Sequence, residues 1–314
     1  MSLLPNTLTT SPTTTNIAVQ SLAVIQVSGS DAEPFLQGQL TCDLKQLTQN
    51  NWQLCGHCDA KGKLWSVSRI ARNEAGFLLI QNRSTLAKSL AQLQKFSVFS
   101  QVNFTDVSEQ FSTSVVVGAN AKSAVAAQLD FTIQEPYHCE QQTSVFALTE
   151  NAYLLVQPNN IALPEPIQNE RYWQALQIEH DWPIMEDVHQ ETFIPQMLNL
   201  DTLGAISFKK GCYIGQETVA RMHYKGMNKR RLFQLTGLAK STPTPTDQLE
   251  VKLGENWRRA GAVISAVRYD NDVIAIQAVL PSDIEATAQL RIKGQDDSKF
   301  TPCQKPDETE SINE

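Results

Sequence analysis

Apolar and polar positions alternate in short blocks along most of the chain. Leu22 to Val27 (LAVIQV) is an apolar, β-branched run closed by Ser28 and Gly29, which predicts a strand ending in a turn. Ser30 and Asp31 can then cap a helix that tolerates Pro34 in its first turn and shows Ala32, Phe35, Leu36 and Leu40 on one face. Trp52 to Arg72 predicts two strands around the turn Asp59-Ala-Lys-Gly62, and Gly76 to Gln81 predicts another. Ser84 opens a helix with Leu86, Leu90, Leu93 and Phe96 at helical spacing and with Lys88 and Lys95 facing water. Strand-like runs return at Val115 to Gly118, Val145 to Thr149 and Tyr153 to Gln157. The order is a mixed α/β (α+β) pattern, without the regular strand-helix alternation of a doubly wound sheet.

Proline-rich interruptions divide this pattern. Residues 1–16 are Thr-rich and aperiodic, which predicts a flexible arm. Residues 157–168 (QPNNIALPEPIQ) read as a linker inside an α/β region that extends from 17 to 231, and Asn169 can cap a helix running to Glu179. After the Thr/Pro stretch Leu238 to Asp247 the pattern turns to strands: Ala260 to Tyr269, the turn Asp270-Asn271, then Asp272 to Leu280. Residues 232–293 therefore predict a small all-β C-terminal domain, and 294–314 a polar, frayed tail.

Composition narrows the class. With 314 residues, 41% of them hydrophobic and 19% charged, the chain can bury a real core, so disorder, collagen and coiled coil are excluded. No apolar run approaches the roughly 18 residues of a membrane-spanning helix. Met1 to Asn16 lacks the basic start and apolar middle of a secretory signal, so a cytoplasmic monomer with no membrane partner is the expectation. The net charge of −7 argues against a general nucleic-acid coat while leaving room for a local basic patch. Six scattered cysteines are too few for a disulfide scaffold in so long a chain.

Such a patch occurs at Phe208 to Leu232, FKKGCYIGQETVARMHYKGMNKRRL. Lys209, Lys210, Arg221, Lys225, Lys229, Arg230 and Arg231 stand there against one acid, Glu217. Cys212 sits in a Gly-Cys-Tyr-Ile-Gly turn, with a helix predicted to start at Gln216-Glu217. A thiol beside two lysines and a helix N-terminus favours the thiolate. Such a cysteine suits a nucleophile, a redox sensor or a metal ligand; the local pattern fits a small residue packed under a turn equally well.

The string Phe193-Ile-Pro-Gln-Met-Leu-Asn-Leu-Asp201, followed by Gly204-Ala-Ile-Ser-Phe-Lys-Lys-Gly-Cys-Tyr-Ile-Gly-Gln-Glu217 and Ala220-Arg221, resembles the signature of the YgfZ family of folate-binding proteins. Val27-Ser-Gly-Ser-Asp31, Phe35-Leu-Gln-Gly-Gln-Leu-Thr41, His57-Cys-Asp-Ala-Lys-Gly-Lys63 and Gly254-Glu-Asn-Trp-Arg-Arg259 resemble further family motifs, in order over residues 20–280. The resemblance implies a multi-lobed fold like that of the glycine-cleavage T-protein, with a folate channel closed by a C-terminal β-barrel domain. It implies binding of tetrahydrofolate or a derivative and a role in making or maintaining iron-sulfur enzymes. Through those it implies effects on tRNA modification, with a link in bacteria to regulation of replication initiation. The family's essential cysteine falls on Cys212 and its folate-stacking tryptophan on Trp173. A second tryptophan of some members falls near Leu22. The acidic pair with which T-proteins orient the folate nitrogen falls near Trp65 and Ser66, so the resemblance speaks against ordinary aminomethyl transfer.

Folate presents a flat pterin, a benzoyl ring and an anionic tail, so its pocket needs a stacking ring, polar groups and a cation. Trp173 and Tyr172 can supply the first, Gln216 and Glu217 the second, and Arg171, Lys61, Lys63 or Arg221 the third; Trp173 also fits the core of an amphipathic helix. Cys55-Gly-His-Cys58 has the form of a redox C-x-x-C, but a turn follows it instead of a helix, which makes thiol-disulfide exchange the weaker alternative. A folate-dependent one-carbon transferase is the nearer one. No stably bound metal is expected, and Cys212 alone can hold an iron-sulfur cluster only transiently, with a partner protein and at most His223 to assist. Direct RNA binding through Lys225 to Arg231 is electrostatically allowed and less favoured than a solvated loop.

Overall fold

A computed structural model describes residues 14–130, 133, 136–161, 167–226 and 228–303. The chain order is β1 (Thr15–Ala18), β2 (Leu22–Ser28), α1 (Ala32–Gln39), β3 (Trp52–Cys58), β4 (Leu64–Asn73), β5 (Gly76–Asn82), α2 (Leu86–Phe96) and β6 (Asn103–Asp106). It continues with β7 (Phe111–Val117), α3 (Ala121–Leu129), β8 (Tyr137–Glu140), β9 (Thr143–Thr149), β10 (Ala152–Pro158), β11 (Ile167–Gln168), α4 (Arg171–Glu179) and α5 (Gln216–Tyr224). Strands β12 (Arg230–Leu238), β13 (Gln248–Leu253), β14 (Asn256–Arg268), β15 (Ile274–Pro281), β16 (Leu290–Ile292) and β17 (Lys299–Pro302) complete it.

These strands form two open sheets and a barrel. The first sheet runs β3-β4-β5-β2-β6, the second β11-β1-β7-β10-β9-β8, and the barrel closes as β12-β15-β14-β13-β16-β17. Strand β2 shows why its sequence reads as continuously apolar. Leu22 and Val24 point into a core shared with the second sheet and α4, while Ile25 and Val27 point into a core under α1 and α2. Successive side chains face opposite ways, and both faces are covered.

Helix α4 joins that shared core to the barrel. Its first turn is held by Asn169, whose Oδ1 accepts from the Arg171 N–H at 2.9 Å, and Tyr172, Trp173, Ala175, Leu176 and Ile178 are buried. From the barrel, Gln277 Nε2 donates to the carbonyls of Gln177 and Trp182, and Gln174 Nε2 donates to Ser265 Oγ at 2.7 Å.

Three expectations need correction. The expected arm over 1–16 reaches into β1, where Asn16 pairs with Val116, since a single apolar Ile17 on the buried face is enough to register the strand; residues 1–13 lie outside the described residues. The tail expected from 294 contains β17, whose Phe300 and Pro302 are buried while Lys299 and Thr301 are exposed. Two apolar residues in alternation close the barrel there, and polar composition masked them; residues 304–314 lie outside the described residues. Strand β10 extends through Pro158 into the expected linker, of which 162–166 lie outside the described residues.

Candidate functional site

The motifs separated along the chain meet around the Cys212 turn. Gly215 adopts φ +85° and Gly62 φ +75°, a left-handed region that favours glycine. The two turns are in contact: a Cβ added at Gly215 would stand 2.5 Å from the Asp59 carbonyl oxygen and 2.9 Å from Gly62 Cα. Asp59 holds its own turn, its Oδ1 accepting from the N–H groups of Lys61 and Lys63. On the other side, the Ile214 N–H donates to the Gly38 carbonyl, and Thr41 Oγ1 donates to the Ala205 carbonyl at 2.6 Å. The Leu64 N–H donates to the Phe193 carbonyl, and Gln196 Nε2 donates to the Val219 carbonyl in α5. Gly254 to Arg259 lies apart at the β13-β14 hairpin, where Trp257 packs under Arg291.

Charges in the cluster differ from expectation. Lys210 is buried, and its ammonium donates to the carbonyls of Leu40 at 2.8 Å and Cys42 at 2.6 Å. It fastens α1 to the turn and does not flank the thiol as the sequence predicts, because two free carbonyls past a helix end offer it a better place than water does. Arg221 pairs with Glu217, Arg231 with Asp201, and Arg230 donates to the Ala260 carbonyl. Lys209, Lys225 and Lys229 remain exposed, near an outer aromatic group in which His223 stacks on Phe208 and touches Tyr224.

Cys212 is the exposed cysteine; Cys42, Cys55 and Cys58 are buried, and Cys139 and Cys303 half-buried. The redox reading of Cys55 and Cys58 is overturned here. Both lie on β3 with no exposed surface, a hydrogen bond with Cys42 followed by burial pushes the Cys55 thiol well up, and burial does the same to Cys58. A thiol-disulfide catalyst needs the opposite, an accessible thiolate. Ser66 is buried in a neutral network with Ser89 and His57, and Trp65 Nε1 donates to Glu191, whose carboxylate is already paired with Lys88 at 2.7 Å. Among the described residues no cluster of three metal-ligating side chains occurs.

Trp173 lies elsewhere, in the shared core and 1% exposed. Its ring sits 6.1 Å from Trp182, and the Arg69 guanidinium stands 5.5 Å from both rings and 5.9 Å from Trp52. Arg69 is itself 7% exposed, and burial lowers its pKa to about 10, leaving it charged at neutral pH. Its Nε, the Trp173 Nε1 and the His180 Nε2 have no hydrogen-bond partner among the described residues. His180 stacks on Trp182 at 4.8 Å. Leu22 borders the same core, against which Trp52 and Trp182 also pack.

Sequence reasoning missed Arg69 and Trp182. A single charge inside the apolar run Leu64 to Ala71 was the available signal. Of the expected pocket residues, Tyr172 and Trp173 are together on α4, but Arg171 is directed to the Arg268 carbonyl in the barrel. Lys61, Lys63, Arg221, Gln216 and Glu217 belong to the Cys212 cluster, with Lys63 Nζ donating to the Thr192 carbonyl. The expected residues thus fall into two groups, one on α4 and one at the Cys212 turn and α5. A cavity of about 320 Å³ opens where α4 ends against the barrel, lined by Glu179, Gln234, Tyr269 and Cys303, and none of the expected residues borders it.

Residues 228–297 match the family described as YgfZ, beta-barrel domain, and residues 10–149 match the GCVT N-terminal domain. A protein of Escherichia coli O157:H7 (strain EC4115 / EHEC) named tRNA-modifying protein YgfZ is 36% identical, over 93% of this chain and 92% of its own. The chain belongs to the YgfZ family. A relative with the same name from Serratia proteamaculans (strain 568) is 37% identical over 89% of this chain and 88% of its own. Glycine cleavage system aminomethyltransferase T from Bartonella henselae shares the fold, with a TM-score of 0.75 at 15% identity over 95% of this chain and 86% of its own. The T-protein-like architecture and the closed C-terminal barrel agree with what the YgfZ resemblance implied.

Proposed function

We propose that this YgfZ protein is a tetrahydrofolate-binding accessory factor that sustains iron-sulfur enzymes, among them enzymes of tRNA modification, with Cys212 as its working thiol. The observation that carries the reading is the placement of Cys212. It is exposed on a turn clamped between Gly62 and Gly38, while the other cysteines are buried or half-buried. A rigid mount with an accessible sulfur suits meeting a partner protein, since a rigid scaffold presenting one reactive group spares the entropy of ordering it at encounter. One thiolate cannot complete the coordination of a cluster, so the partner supplies the remaining ligands. The curated relatives' name, tRNA-modifying protein, fits an effect on tRNA exerted through such enzymes. Folate binding is assigned to the Trp173 region, and a cytoplasmic location and a link to replication control belong to the same reading.

One-carbon transfer is the second reading, favoured by the T-protein-like fold. The surroundings of Trp65 and Ser66 weigh against it, because the carboxylate that stands there, Glu191, is already engaged by Trp65 and Lys88, and Ser66 lies in a neutral network with Ser89. The test is complementation. In cells lacking the native copy, Cys212→Ser is expected to leave iron-sulfur tRNA-modifying enzymes underactive while the variant accumulates normally. Full rescue by Cys212→Ser sinks the proposal, and product formation from a methyl or formaldehyde donor would favour the transferase.

A further inference from the structure

Arg69 is a buried cation, 7% exposed, that has no ion-pair partner among the described residues. It projects from β4 among Trp52, Trp173 and Trp182, and its buried Nε has no hydrogen-bond partner among the described residues. Buried arginines are ordinarily paired, because removing a guanidinium from water without acceptors is unfavourable by several kcal/mol. The ring faces attract the charge and offset part of this. A ring face does not replace an oxygen acceptor for the N–H donors. The neighbouring Trp173 Nε1 is a second unused donor, and Nε2 of His180, whose ring stacks on Trp182, is a third unused polar atom. Three unsatisfied polar atoms around two adjoining rings form a constellation that a protein keeps for a ligand, since hydrophobic packing alone would be more stable.

We propose that Arg69 is the ligand-reading cation of this site, with Trp182 supplying the second ring that Leu22 does not. The ligand class this selects is a planar heterocycle with an edge of oxygen or nitrogen acceptors: the ring lies against Trp173 and Trp182, and its acceptors take the Arg69 and Trp173 donors. This deepens the folate reading and rests on it, the pterin being the part of folate that has that shape and edge. The 7% of its surface that Arg69 retains is the point of approach, and seating a ring requires Arg69 and Trp182 to part.

The experiment uses the full chain and two readouts. Tetrahydrofolate, and tetrahydropterin lacking the benzoylglutamate tail, are titrated into wild type, Arg69→Met, Arg69→Lys and Trp182→Ala, and the melting temperature of each ligand-free protein is measured. Methionine keeps the stem and its contact with the rings while removing the charge and the donors. Arg69→Met is expected to weaken both ligands by about tenfold or more, the worth of a charged hydrogen bond, with an unchanged or higher melting temperature. Arg69→Lys should recover part of the affinity, and Trp182→Ala should weaken both ligands by several-fold. Wild-type affinity in Arg69→Met overturns the inference, and so does a lower melting temperature, which would make Arg69 a structural residue. No binding of either probe by well-folded wild type would instead defeat the folate reading, while the melting comparison still decides whether Arg69 is held for a ligand.

Discussion

Gly215→Ala tests whether the Cys212 turn is built by contact between two glycines. Alanine at φ +85° meets the left-handed penalty of about 1–2 kcal/mol. Its methyl would also stand 2.5 Å from the Asp59 carbonyl oxygen, 2.9 Å from Gly62 Cα and 3.1 Å from Cys58 Cβ. Two of these are backbone atoms of a hydrogen-bonded turn and cannot swing aside, so the overpacking adds about 1–3 kcal/mol. The sum is about 2–5 kcal/mol, which for a protein of this size lowers the melting temperature by about 3–8 °C. Gly211→Ala is the internal control. It lies next to Cys212, has no positive φ, and a Cβ there meets nothing within 4 Å, so its effect should stay within about 1 kcal/mol. Calorimetric melting of the two variants gives the comparison, and the rate of Cys212 alkylation reports whether the thiol has moved. A Gly215→Ala protein that melts with wild type, or a Gly211→Ala protein equally damaged, refutes the clamped-turn argument.

Iodoacetamide should label Cys212 first in the native protein, with Cys42, Cys55 and Cys58 labelled only on unfolding; peptide mass spectrometry checks this, and native labelling of Cys55 or Cys58 at the Cys212 rate would contradict the burial argument. Lys210→Met should destabilise by about 2–4 kcal/mol in denaturant unfolding, since it leaves the Leu40 and Cys42 carbonyls without their charged donor; a change below about 0.5 kcal/mol would show that solvent serves them equally well. Burial lowers the His57 pKa from 6.5 to about 3, so its neutral form is the folded one. The unfolded chain therefore takes up a proton first as pH falls, and the stability present above pH 6.5 is lost progressively toward pH 3. Equilibrium unfolding of wild type and His57→Gln across that range should give a flatter curve for the variant, and parallel curves would refute the assignment.

The parts of the fold legible in the sequence are those with a strong internal period or a local cap. Strand β2 shows both faces as one apolar run, α4 starts where Asn169 accepts from the backbone, and α5 begins at Gln216 as expected. Edge elements were not legible. Strand β6 has only Phe104 among polar residues, and β17 only Phe300 and Pro302, so their pairing partners decide them and their own composition does not. The Cys212 cluster was legible as a set of motifs, though not in its charges: nothing local distinguishes Lys210, which is buried on two carbonyls, from Lys209, which is exposed. Arg69 and Trp182 escaped for the same reason. A charge in a strand and a tryptophan after a helix acquire meaning only when β4 and α4 pack together.

The most direct test of the central claim is calorimetric titration of tetrahydrofolate, at fixed salt, into wild type and Trp173→Leu, with melting curves to confirm that the variant folds. Leucine keeps Trp173's place in the core apolar while removing the stacking ring and its unpaired N–H. The account expects saturable binding by wild type that is lost in the variant. Equal binding by both would move the folate site away from α4, and no binding by folded wild type would contradict the claim itself.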